Sequence, residues 1–149
     1  MVAPPHSPDN VHPVDHMRDI PVQVAYIGAC TGAKLDDLRM AASVLKGKKS
    51  KVKLLVAPAS LRDQQQAEKE GTLGILLDAG AELLGNSCGM CAGYGENLLG
   101  EDTVAISTTA RNFKGRMGAA SSQVYLASPY TVAATAVAGH VCDPREMLQ

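Results

Sequence analysis

Val22-Gln-Val-Ala-Tyr-Ile27-Gly-Ala-Cys30-Thr-Gly-Ala-Lys-Leu35-Asp-Asp-Leu38-Arg-Met-Ala-Ala42-Ser-Val-Leu45 is the stretch that decides the fold. Its first part, Val22 to Ile27, is a short apolar run bounded by Pro21 and Gly28, the pattern of a buried strand. Its last part sets Leu35, Leu38, Ala42 and Leu45 at helical spacing, with Gly47 as the stop. Asp36 and Asp37 fall in the first turn, where carboxylates suit the helix dipole. Between the two lies a glycine-flanked turn that carries a cysteine, Gly28-Ala-Cys-Thr-Gly32. The same alternation continues downstream. Val52 to Ala57 predicts a second strand, ended by Pro58, and Ser60 with Asp63 resembles a capping box opening a polar helix through Glu70. A further helical piece, around Leu73 to Ala79, stops near Gly80. Ala81 to Leu84, Val104 to Ser107 and Val124 to Ala127 predict the third, fourth and fifth strands. Ser128 as N-cap and Pro129 at the first helical position open a helix to Ala138, stopped by Gly139. Strand and helix in alternation predict an α/β fold with a parallel sheet flanked by helices.

Upstream, residues 1–20 form a polar lead-in in which Pro4, Pro5, Pro8 and Pro13 prevent regular helix, so an extended strap is expected there. Residues 21–149 then form one domain. A chain of this size buries ~68–70% of its unfolded surface and needs no disulfide staples. Trp is absent and aromatics are 3%, so the core is built from Val, Leu, Ile and Ala. The net charge of −1 argues against a nucleic-acid or anionic-membrane binder, which needs a basic surface. No apolar run approaches the ~20 residues of a membrane span. The prolines near Met1 stand where a signal peptide needs an apolar stretch, so a cytoplasmic, reducing location is expected. There the four cysteines are ligands, redox groups or core thiols rather than disulfides.

The chemically unusual residues follow the predicted strands. Cys30 follows the first, Cys88-Gly-Met-Cys91 the third, and Arg111-Asn-Phe-Lys-Gly-Arg116 the fourth. Ligand sites of open α/β sheets form at the carboxyl ends of strands, so these segments are expected to converge on one edge. The two-residue spacer lets Cys88 and Cys91 turn toward one metal centre, and three thiolates without an obvious fourth ligand suit an iron–sulfur cluster with one open iron. Three other readings stay open: a thioredoxin-like redox pair at Cys88 and Cys91, a zinc site with His140 as fourth ligand, and plain buried thiols. Ala92-Gly-Tyr-Gly95 is a poor helix start for the redox motif, and His140 has no paired ligand at zinc spacing. Cys142 stands alone and reads as a packing residue. Arg111 and Arg116 offer guanidinium forks that match carboxylates, against the bland alternative of solvated surface arginines. The lysines at 46, 48, 49, 51 and 53 read as a solvated face. Gly28 to Lys34 is one residue short of a phosphate loop and has Leu35 where Ser or Thr belongs.

Taken together, Ile27 to Arg39, Ala57-Pro-Ala-Ser60, Cys88-Gly-Met-Cys91, Arg111-Asn-Phe-Lys-Gly-Arg116 and Ser128-Pro129 occur in the order seen in the aconitase superfamily. The chain resembles its branch of 3-isopropylmalate dehydratase large subunits and homoaconitase-like relatives, from about Ser7 to Arg145. The resemblance implies the three-layer α/β/α cluster-binding domain of an iron–sulfur hydro-lyase. It implies a 4Fe-4S cluster on Cys30, Cys88 and Cys91, and carboxylate binding by Arg111 and Arg116. The implied reaction moves a hydroxyl between neighbouring carbons of a hydroxy acid such as 2- or 3-isopropylmalate, in leucine biosynthesis, by dehydration and rehydration.

Gly32-Ala33 and Ala110 depart from the family pattern, which often has Asn-Ser and Asn there. Ala110 removes a polar neighbour that the resemblance would put beside the cluster. The family also has further domains and a swivelling domain or small subunit that supplies the catalytic serine base. They are the implied partners, and a chain with only the cluster-binding domain is expected to be inactive alone. A fragment, a split subunit or a remnant are the readings of its length. A non-catalytic iron–sulfur or iron-sensing module and a thiol–disulfide oxidoreductase are the rival functions.

Overall fold

The computed structural model describes residues 1–86 and 99–147. It contains strands β1 (Val2–Ala3), β2 (Val24–Ile27), β3 (Lys53–Val56), β4 (Glu82–Leu83), β5 (Val104–Ser107) and β6 (Gln123–Ala127). The helices are α1 (Leu35–Leu45), α2 (Leu61–Glu70), α3 (Thr72–Asp78) and α4 (Pro129–Ala138). One six-stranded sheet has the order β1-β6-β5-β2-β3-β4. Every neighbouring pair from β6 to β4 is parallel, and β1 alone runs antiparallel, on the outer side of β6. This is the α/β class that the alternation predicts.

Local signals set the element boundaries. Ser60 Oγ accepts from Asp63 N at 3.1 Å and caps α2, and Ser128 Oγ does the same for α4 from Thr131 N at 3.3 Å. Gly71 and Gly139 end these helices in the left-handed conformation at φ 87° and 83°, which glycine adopts without steric cost. The central strands are buried on both faces, as parallel strands must be. Ala25, Ile27, Leu54, Val56 and Ile106 point into the larger core, with Leu38, Leu45, Leu76 and Val132 of the helices packed against them. Val24, Tyr26, Leu55 and Ala105 point the other way, where Leu99 and Met117 from the connections on either side of β5 cover them. The sheet is thus layered on both faces, consistent with the three-layer expectation.

The strap is tied down more firmly than an extended lead-in requires. β1 pairs Val2 with Ala127 and Ala3 with Leu126, and Val2 also exchanges backbone bonds with His12. A short 3-10 turn spans Val14–Met17. Neither β1 nor this turn has a signal in the proline-rich sequence. β1 depends on a partner far along the chain, whereas the turn closes locally, His16 N donating to Pro13 O at 3.0 Å.

Chain order reverses once in the sheet. From β2 the chain steps to β3 and β4 in one direction, and β5 and β6 lie on the other side of β2. The exits of β2 and β5 therefore flank the topological switch point, where open parallel sheets leave a crevice for ligands.

Candidate functional site

The exit of β2 is the turn from Gly28 to Ala33, and Cys30 stands exposed on it with a free thiol. Ala29, just before it, holds φ at 75°. A non-glycine residue in that region is uncommon and needs surroundings that hold it there. Those surroundings come from β5. Pairing of Tyr26 with Ser107 brings Thr108 level with the strand end, and Thr108 N donates to Tyr26 O at 3.1 Å. The Thr108 hydroxyl then continues the ladder with its side chain. Its oxygen accepts from Gly28 N at 3.0 Å, and it donates to Gly28 O at 3.1 Å. Gly32 closes the turn by donating from its N to Ala29 O at 3.2 Å.

Gly32 lies against the same residue. A Cβ built there would sit 2.1 Å from the Thr108 carbonyl oxygen and 2.7 Å from Gly28 O. Contacts that short do not occur, so this backbone admits only glycine at position 32. The departure from the family pattern noted at Gly32 thus has a steric counterpart here. Ala110, the other departure, is exposed.

Beyond Thr108 the β5 exit folds on itself. Ser107 Oγ donates to Thr109 Oγ1 at 2.9 Å and accepts from Thr109 N at 3.0 Å. Arg111 is exposed and Asn112 is buried, at 1% exposure. The Asn112 amide nitrogen donates to Pro4 O at 2.6 Å and to Val124 O at 3.2 Å. Asn112 O accepts from His6 N at 3.0 Å. The lead-in strap is thereby fastened to the arginine segment. Arg116 N then closes a turn on Phe113 O at 3.0 Å, with Gly115 at φ 73°. Arg116 is half-buried, and among the described residues its Nε is a buried donor without a partner, as Asn112 Oδ1 is a buried acceptor without one. Such groups are rare in folded proteins.

On its other flank the Cys30 turn meets the β3 exit, where Ala59 N donates to Ala33 O at 2.9 Å. The β4 exit is tied to β3 in turn, as Asn86 Nδ2 donates to Pro58 O at 3.1 Å. Hydrogen bonds thus link four adjacent strand exits along one edge. The exits of β2 and β5, which Cys30 and the arginine segment follow in the chain, lie side by side. Cys88 and Cys91 lie outside the described residues. Among the described residues no group of three His, Cys, Asp or Glu side chains could hold a metal ion.

The remaining sequence candidates fall elsewhere. His140 bridges to Pro21, before β2, and its Nδ1 lies 3.8 Å from Asp19 Oδ1. That is the amino end of the strand, opposite Cys30, so a zinc ion at Cys30 does not have His140 as its fourth ligand. Cys142 is 3% exposed, and burial with the neighbouring Glu146 carboxylate pushes its thiol up to about 11. It is a core thiol, as its solitary position suggests. A groove of about 1050 Å³ is lined by residues of α1 and α2, among them Arg39, which is already held by Glu70 and Asp36.

Thr108, Gly32 and Asn112 carry the geometry of this edge, and residue-by-residue reading passes over Thr108 and Asn112. Their roles depend on contacts 80 and 108 positions away. The one available signal was the hydroxyl-rich Ser107-Thr-Thr109 run at a strand exit, which by itself reads as a polar loop.

The family model for the aconitase family (aconitate hydratase) matches residues 5–139. A 3-isopropylmalate dehydratase large subunit from Nautilia profundicola is 46% identical over 151 residues, covering 99% of this chain and 36% of that protein. A probable methanogen homoaconitase large subunit from Methanosarcina mazei is 49% identical over 146 residues, covering 98% of this chain and 37% of that protein. A second 3-isopropylmalate dehydratase large subunit, from Archaeoglobus fulgidus, is 45% identical and covers 36% of that protein. This chain thus spans a little over a third of the length of these curated relatives, and with a family match over nearly all of it, it belongs to the aconitase family.

Proposed function

We propose that this chain is the cluster-holding part of an iron–sulfur hydro-lyase that dehydrates and rehydrates a hydroxy di- or tricarboxylate. A substrate of the 2- and 3-isopropylmalate type, as in leucine biosynthesis, is the first candidate, in line with the names of its relatives. One observation carries the reading. The exposed Cys30 thiol and the arginine-bearing exit of β5 flank the switch point of the sheet, joined through Thr108.

We assign the holding of a 4Fe-4S cluster to Cys30, Cys88 and Cys91, of which Cys30 is among the described residues. Cys30 is a soft, accessible donor on a glycine-lined turn, and no carboxylate or histidine cluster offers a hard-ion alternative among the described residues. Arg116 keeps a buried donor that has no partner among the described residues, a fit for an anionic group that completes the site. When bound, such a cluster supplies a Lewis-acidic iron at its open position. Arg111 presents its exposed fork to one substrate carboxylate, and Arg116 serves a second anionic contact. Two fixed cations orient a dicarboxylate, which lowers the entropic part of the barrier. No base for proton abstraction is assigned to this chain. The remaining large-subunit domains and a small subunit or swivelling domain are the proposed partners that supply it.

Anaerobic reconstitution with iron and sulfide, followed by absorbance and electron paramagnetic resonance, tests the reading. The expected result is a cluster in the native chain and none in Cys30→Ser. A reversible Cys88–Cys91 disulfide that is indifferent to Cys30, with no cluster, would replace the hydro-lyase by a thiol–disulfide oxidoreductase. Mixing the loaded chain with the partner domains should restore hydration of the substrate, which the chain alone should not perform. A loaded chain that stays inactive with those partners would favour an iron-sensing module.

A further inference from the structure

We propose that Thr108 is a positioning residue of this site: seated on Gly28 and Gly32, it sets where the Cys30 thiol stands relative to the strand exit that bears Arg111. The inference rests on the reading of Cys30 as a ligand, but its geometry is independent of that reading. Backbone pairing between β2 and β5 ends at Tyr26 and Ser107. Past that point parallel strands ordinarily part, and the Cys30 turn would be free to swing. Thr108 prevents this with one buried hydroxyl, which both accepts from Gly28 N and donates to Gly28 O. Gly28 is two residues from Cys30, and Ala29 between them is held in the left-handed region.

Gly32, two residues beyond Cys30, meets the carbonyl of the same threonine with no room for a Cβ. Both shoulders of the cysteine turn therefore rest on one residue. Ser107 or Thr109 could not take this part. Their hydroxyls bond each other, within their own segment.

A side chain needed only to fill space would be replaced by valine without consequence for the turn, because valine keeps the shape and loses the hydroxyl. The hydroxyl is what the geometry uses. Removing it leaves Gly28 N–H and C=O buried without their partner, and the turn gains freedom to open.

The test uses the whole chain without a cluster. Hydrogen exchange is followed in the peptide covering residues 28–32, and alkylation by iodoacetamide is followed at each cysteine by peptide mass spectrometry. In Thr108→Val, exchange in 28–32 should rise at least about tenfold, the effect on local opening of losing the hydroxyl's two hydrogen bonds to Gly28. Cys30 alkylation should change with it, while buried Cys142 stays slow. Thr108→Ser, which restores the hydroxyl, should return both rates toward the native values. Where Thr108→Val fails to fold, Gly32→Ala decides, since its Cβ crowds both the Thr108 carbonyl oxygen, at 2.1 Å, and the Thr108 hydroxyl, at 2.7 Å, while the threonine itself is kept. It should alter Cys30 alkylation in the same way.

Unchanged exchange and alkylation in the folded variants would overturn the proposal. After reconstitution, the paramagnetic signal of Thr108→Val should differ in anisotropy from that of the native chain, and the serine variant should match the native one. An identical signal in all three would also overturn it. A native chain that takes up no cluster would sink the hydro-lyase reading instead, while the exchange and alkylation results would still judge Thr108.

Discussion

A methyl group on Gly32 has nowhere to go except into the Thr108 carbonyl, 2.1 Å away. Gly32→Ala should therefore destabilise the chain by about 1–3 kcal/mol, the usual result of forcing extra volume into a close-packed place. Urea unfolding checks this, and an unchanged midpoint would show that the turn yields more easily than its contacts suggest. Cys30 is the opposite case. Its side chain is exposed, so Cys30→Ser should leave the thermal midpoint of the cluster-free chain unchanged while abolishing cluster uptake. Asn112 stands between these extremes. It is buried, and its amide satisfies two carbonyls. Asn112→Ala should cost about 1–3 kcal/mol, the penalty for buried groups left unpaired. It should also raise hydrogen exchange in the strap around His6.

Among the elements, α4 shows how far local chemistry reaches. Ser128, Pro129 and Gly139 mark its start and stop, and the helix runs from Pro129 to Ala138 as those signals predict. Ser128→Ala should lower stability by about 1 kcal/mol, or about 2–4 °C in the thermal midpoint for a chain of this size. A midpoint that does not move would mean that burial alone holds the helix end. α1, α2 and β5 were equally legible, because hydrophobic period, caps and glycine stops act within a few residues. β1 was not. Two residues of Val2–Ala3 carry no periodicity, and they become a strand only because the outer side of β6 offers unpaired backbone groups. Asp to Ile at 19 and 20 were likewise read as mere lead-in, yet Ile20 O accepts from Val141 N at 2.9 Å. The Lys46 to Lys53 run fits its reading as a solvated turn. Lys48 Nζ donates to Val44 O at 3.1 Å near the end of α1, and Lys49 Nζ reaches the Asp78 carbonyl at the end of α3.

For the molecule as a whole, acid tolerance depends on carboxylates held ionised by arginines. Arg39 bonds both oxygens of Glu70 at 2.8 Å, linking α1 to the end of α2. It holds the Glu70 carboxyl at about 2, below its ordinary 4.5. Arg145 does the same for Asp143, at about 2 against 3.8. Because these folded values lie below the unfolded ones, the stability they contribute is complete above about pH 4.5 and drains away as pH falls toward 2. Glu70→Gln should flatten the acid limb of a stability-against-pH curve, and an unaltered limb would show that solvent screens the pair. Removing residues 1–12 would bare the β6 edge, so the truncated chain should self-associate in sedimentation, as open sheet edges do. What the sequence by itself determined are the element types, most of their ends, and the two segments that carry thiol and guanidinium. These follow from short-range interactions between near neighbours. Only the tertiary structure decided that β2 and β5 stand side by side, that the strap closes on Asn112, and that Gly32 and Thr108 meet. Backbone hydrogen bonding is the same for any pair of strands, so the choice of neighbour comes from how all the layers pack at once.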